Sequence, residues 1–217
     1  MATFSIYSAR PSRVLFAGLA VGLLAIASVR QAHAEYLWLQ KDASGGATAH
    51  VGGLDSGRQP LAGVVAPRAF LADGKDLPLT TDAERFSVPV SDAGDLRMVA
   101  RRVADNTTLT VYQARWGRAE TQAVNDLELV PTMAHGNTFK LVWKGKTVAA
   151  SQVNVETSEG WRRVLKPDSD GTVSFNPSFP GLYVLEVTAK VNGSVTVDSK
   201  KYDDVRHTAT LSFEVVR

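Results

Sequence analysis

The stretch Thr208-Ala209-Thr210-Leu211-Ser212-Phe213-Glu214-Val215 decides the fold. Its odd positions are apolar and its even positions hydroxylic or acidic, which is the period of two that a strand with one buried face requires. Tyr183, Leu185 and Val187 stand in the same phase against Glu186 and Thr188. Working outward from these two runs, residues 126–217 read as seven strands, near 127–130, 138–144, 152–157, 161–166, 172–176, 182–190 and 205–216. Their spacing suits a β-sandwich. Between two of them, Pro167-Asp168-Ser169-Asp170-Gly171 has the chemistry of a tight turn, with Gly171 free to take positive φ. The Asp-Ser-Asp-Gly string also looks like the start of a calcium loop, but Pro177 stands where the closing glutamate belongs.

Residues 35–120 carry further short strands, clearest at 36–40, 68–71, 86–90, 95–103 and 109–115, whereas 52–63 reads as loop. The boundary between the halves falls in 116–125, which is polar and lacks strand alternation. No stretch has convincing helical periodicity. The expectation is an all-β protein with two sandwich-like halves, 35–120 and 121–217, behind a leader spanning 1–34.

The leader is read from three parts. Arg10 and Arg13 are followed by an uncharged apolar run from Val14 to Val29 and then by Ala32-His33-Ala34, the layout of a cleavable secretory signal with an Ala-x-Ala site. The predicted mature chain begins at Glu35, lies free in the periplasm and keeps no membrane anchor. Without Arg10, Arg13 and Arg30 it has 21 basic and 22 acidic residues, a net charge of −1. That balance gives no basis for nucleic-acid binding, which draws on clustered cations. There is no cysteine, so disulfides, thiolate ligands and thiol nucleophiles are excluded.

No Gly-x-Ser-x-Gly, Ser-x-x-Lys, His-Glu-x-x-His or phosphate-loop motif occurs, and the chain is read as a non-enzyme. Of the histidines after the leader, His135 falls in a loop and His50 in a strand-like run. His207 shares the odd, apolar phase of Ala209, Leu211 and Phe213. It reads either as a packed imidazole or as a ligand, with Tyr202, Asp203 and Asp204 just upstream as oxygen donors. Nitrogen and oxygen donors without sulfur suit divalent transition ions better than copper(I). Trp38, Trp116, Trp143 and Trp161 also admit a sugar-stacking role, although Trp143 is in phase with Phe139 and Leu141 and so reads as core.

Several stretches carry a resemblance. They are Tyr36-Leu37-Trp38-Leu39, Asn125-Asp126-Leu127-Glu128-Leu129-Val130-Pro131, Gly145-Lys146 with Val153-Asn154-Val155, Asp170-Gly171-Thr172-Val173-Ser174-Phe175, Pro180-Gly181-Leu182-Tyr183-Val184-Leu185-Glu186, and Tyr202-Asp203 with Arg206-His207 and Leu211-Ser212-Phe213-Glu214-Val215. In that order they resemble the uncharacterised periplasmic family identified as the periplasmic component, or accessory protein, of nickel and cobalt uptake systems. The resemblance implies an immunoglobulin- or transthyretin-like second sandwich, a divalent transition metal, nickel or cobalt first, and an envelope transporter or receptor component as partner. Many members begin the mature chain with histidine, and here that position is Glu35, whose carboxylate and new α-amine take its place. The expected metal residues are thus His207, Glu35, Asp203, Asp204 and His50. The competing expectation is a structural or interaction module that binds no metal itself.

Overall fold

The computed structural model describes residues 35–42, 44–89, 94–150 and 152–216; the expected leader lies outside them. In chain order the strands are β1 (Tyr36–Lys41), β2 (Ala47–Gly53), β3 (Gly57–Gln59), β4 (Val64–Phe70), β5 (Asp76–Leu77), β6 (Thr80–Thr81), β7 (Phe86–Val88), β8 (Leu96–Ala104), β9 (Thr108–Trp116), β10 (Leu127–Pro131), β11 (Thr138–Trp143), β12 (Lys146–Val148), β13 (Val153–Thr157), β14 (Arg162–Leu165), β15 (Thr172–Ser174), β16 (Gly181–Val191), β17 (Val195–Val197), β18 (Lys200–Tyr202) and β19 (Asp204–Val215). The described residues contain no helix, and the class is all-β. Each of the seven segments expected in 126–217 carries a strand; β12, β17 and β18 are additional and only three residues long. The region 52–63, expected as loop, includes the end of β2 and all of β3.

One sheet of eight strands runs β14-β13-β16-β19-β9-β8-β4-β5. Its ladders are antiparallel except at β19 and β9, which pair in parallel from Asp204↔Thr108 to Ser212↔Trp116. Since β9 belongs to the first half of the chain and β19 to the second, a single sheet passes through both. The described residues make one compact unit, with a separate hydrophobic cluster in each half.

The two clusters lie on opposite faces of the shared sheet, as parity dictates. Ala209, Leu211 and Phe213 of β19, with Tyr183, Leu185 and Val187 of β16, pack under a second sheet of β10, β11, β12 and β15. Tyr183 stacks on Phe213 at 5.6 Å, and Phe139 and Phe175 complete the aromatic centre. The opposite face, through Tyr112 and Ala114 of β9 and Met98 and Ala100 of β8, packs under a third sheet of β1, β2, β3, β6 and β7. Thr210 Oγ1 donates to the Leu37 carbonyl at 2.6 Å, which ties β1 to β19 across that interface.

The polar segment 117–125 is bound to the sheet by charge. Arg97 and Arg115, both fully buried, are cross-strand neighbours on β8 and β9. Arg115 Nη1 donates to Glu128 Oε1 at 2.8 Å, and Arg97 Nε to the same oxygen at 3.2 Å; Arg115 also pairs with Asp95, and Arg97 with Glu120. The carboxylates then take up the backbone of the segment. Asp95 accepts from the Ala119 and Glu120 amides at 3.1 and 3.0 Å, and Glu128 Oε2 accepts from those of Val124 and Asn125, both at 2.8 Å. Gly117 has φ +104° and sits where a Cβ would run into the Asp95 carboxylate. Buried charges persist only when paired and hydrogen-bonded in this way.

Candidate functional site

At the end of the second sandwich remote from Phe213 the two sheets part. A cleft of about 450 Å³ opens between Leu127, Leu141, Trp143 and Val148 on one side and Val187, Ala189 and Val191 of β16 on the other. Local sequence builds its rim. Lys144-Gly145, with φ of 47° and 78°, forms the two-residue loop joining Trp143 to Lys146, a turn that positive φ at both residues permits. Trp143 is thereby held half-buried at the mouth, where core was expected, and the Lys144 ammonium lies 5.3 Å from its ring centre.

On the β13 side of β16, strand pairing among the described residues stops at Glu186, and Ala149 and Ala150, just ahead of β13, line the cleft beside it. β13 pairs with β16 only from Tyr183 to Glu186, whereas β19 follows β16 to Val191. The Leu182 carbonyl accepts from the Ser158 amide at 3.0 Å and the Leu182 amide donates to Ser158 Oγ at 3.1 Å, so even-numbered residues of β16 direct their backbone groups toward the β13 side. By the alternation of an antiparallel strand, Thr188 and Lys190 do the same, and among the described residues no strand pairs with them there. The odd residues Val187, Ala189 and Val191 bond to β19 and turn their side chains into the cleft.

His207 stands beside this mouth, paired in register with Ala189 and edge-on to Trp143 at 4.7 Å. The Gln113 amide orientation that satisfies all its neighbours donates to His207 Nδ1 at 3.2 Å and accepts from the Asp126 and Leu127 amides at 3.0 and 3.2 Å. His207 Nδ1 is then an acceptor and its proton sits on Nε2. Burial holds the imidazole below its usual range; Asp126 pulls it back up and Lys144 pushes it further down.

The five residues expected to share a metal do not converge, and among the described residues no group of three His, Asp or Glu does. Asp204 is on the opposite parity from His207, so the strand sends the two side chains to opposite faces. Its carboxylate accepts from Lys190 Nζ at 3.0 Å and Arg206 Nη2 at 2.8 Å, and these hydrogen bonds, Arg206's first, bring its pKa down to about 2. Asp203 is exposed beyond the strand end. Glu35 is bound by Arg102 and accepts from the Tyr112 hydroxyl at 3.3 Å. His50 is buried in β2 against Trp38, 5.4 Å between ring centres. Burial first, then the Arg58 cation, pushes it down to about 4. Two further buried acids are also engaged: Glu156 accepts from the Tyr36 hydroxyl at 2.6 Å, and Glu186 from Asn154 and Thr188, each at 2.6 Å. At 167–171 the turn reading describes what is seen, since Asp170 caps the Thr172 amide at 3.0 Å and Gly171 has φ +80°.

No family model matches the chain, and no curated protein matches it.

Proposed function

We propose that the chain is a non-enzymatic interaction module of the bacterial envelope, which holds a partner protein at the mouth of its second sandwich. The observation that carries this reading is the half-open cleft. Trp143, Val187, Ala189 and Val191 line a gap of about 450 Å³, and concave apolar surface with a few polar groups at its rim is where proteins bind. The periplasmic setting and the envelope partner come from the leader and from the family resemblance.

A second reading, uptake of a transition metal as a chelate, draws support from His207. Burial favours its neutral form and it adjoins the cleft, and a chelate brings most of its own donors. Coordination at Nε2 would move the proton to Nδ1 and force the Gln113 amide to turn over, giving up its bonds to the Asp126 and Leu127 amides. That cost places the chelate second.

A photo-crosslinking residue at exposed Ala149, on the cleft rim, tests the choice in intact cells against one at Lys200. A discrete adduct with an envelope protein from position 149 alone supports the module. A full equivalent of nickel or cobalt in protein purified without chelators, lost in His207→Ala, with no adduct, would overturn it in favour of the chelate.

A further inference from the structure

We infer that the partner is taken up as an extended peptide that adds to β16 as a new strand alongside Thr188 and Lys190, with alternate apolar side chains in the cleft. This rests on the interaction-module reading and specifies its partner.

Three features point to a strand as occupant. The first is a length that no strand among the described residues pairs. Beyond Glu186 the β13 side of β16 continues for five residues to Val191, about 16 Å at the rise of a strand, and Thr188 and Lys190 present two amides and two carbonyls along it. Strand addition to such an edge is an established mode of peptide capture, in which main-chain bonds give affinity and pockets for alternate side chains give selectivity. The second is register. A peptide bonded to Thr188 and Lys190 has residues opposite Val187, Ala189 and Val191, and these turn to the same face as their neighbours, which is the face that opens into the cleft. Its intervening side chains lie on the other face beside Thr188 and Lys190, both exposed.

The third feature is charge. The ammonium of Lys144 projects over Trp143 at the cleft rim, and Lys146 follows it on an exposed stretch. The favoured peptide therefore alternates small apolar residues with polar ones and carries an acidic residue at the end that meets this rim. A lysine on an open edge also discourages indiscriminate pairing, and Lys190 serves there, held by Asp204 on the face away from the cleft.

The test uses random peptides displayed on phage, panned against the protein, and then the enriched peptide made synthetically. The expected peptides alternate apolar and polar residues. Methylating the backbone nitrogens of one phase should weaken binding by about tenfold or more, and of the other phase hardly at all. On binding, hydrogen exchange should slow at the Thr188 and Lys190 amides and stay unchanged at Ala189, which is already bonded to β19. Lys190→Pro removes an edge donor without touching the β19 ladder and should cost about tenfold in affinity, whereas Lys190→Ala should stay within about twofold. Equal losses from both methylation phases, or a peptide that binds without protecting Thr188 and Lys190, overturn strand addition. If the Ala149 adduct persists when no alternating peptide is enriched, strand addition fails and the interaction module stands; if the adduct is also absent, both fail.

Discussion

The waist of the molecule and the mouth of its second sandwich meet the same difficulty, strand surface that sheet pairing leaves uncovered, in opposite ways. At the waist Arg97 and Arg115 sit on a sheet face that β10 reaches through Glu128, and residues 117–125 are drawn over it by Asp95, Glu120 and Glu128 until both guanidinium groups are dry. At the mouth no comparable charged strap is seen among the described residues: Trp143 stays half-buried and the β16 pairing with β19 outruns that with β13 by five residues. Closure of the waist uses polar groups that have value only when all are paired. The mouth is lined with apolar groups that lose little by remaining partly open, which fits a surface kept for another molecule.

The contrast is open to measurement, beginning with its largest effect. Arg115→Met removes one charge and leaves Glu128 and Asp95 buried without it, so equilibrium unfolding should show a loss of about 3–5 kcal/mol. A loss below about 1 kcal/mol would mean that the strap is not held by its charges. Trp143→Ala, at the half-exposed mouth, should cost no more than about 2 kcal/mol, less than the truncation of a fully buried aromatic such as Phe213→Ala, about 3–5 kcal/mol. Equal losses at the two positions would show that the mouth is closed in solution.

His50 supplies a pH test. Its folded pKa of about 4 lies below the unfolded value of about 6.5, so the unfolded chain binds its proton first. The stability it contributes is complete above about pH 6.5 and is lost as the pH falls toward 4. His50→Phe should flatten the stability profile across that window relative to the parent; an unchanged slope would mean that the imidazole is solvated. The smallest effect is expected at half-buried Asp204, where Asp204→Asn should leave the melting temperature at neutral pH little moved, because its partners Lys190 and Arg206 are exposed and the pairs are screened.

Alternation made most of the fold legible. The phase of Leu211 and Phe213 fixes which face of β19 is buried, and it puts His207 on that face too. What alternation could not show is where a polar residue is buried by charge partners from elsewhere in the chain. Arg97 and Arg115 occupy positions that pattern alone assigns to solvent, and residues 117–125 look like a linker because their partners lie on distant strands. Proximity in sequence misled at 203–207 for a related reason: Asp203, Asp204 and His207 are close along the chain, but the parity of β19 and the strand end part them. The short strands β3, β12, β17 and β18 carry too few residues to display a period. The cleft left no signal either, since Trp143 reads as core and the length by which one strand outruns its neighbour is a property of the assembled sheet.

The central claim is that the β13 side of β16 is open beyond Glu186, and amide hydrogen exchange of the unliganded protein tests it most directly. Thr188 and Lys190 should exchange at rates close to those of unstructured peptide, while Ala189, bonded to β19, and Val184, bonded to β13, should be strongly protected. Protection at Thr188 and Lys190 equal to that at Val184 would show the edge already covered and would contradict the account.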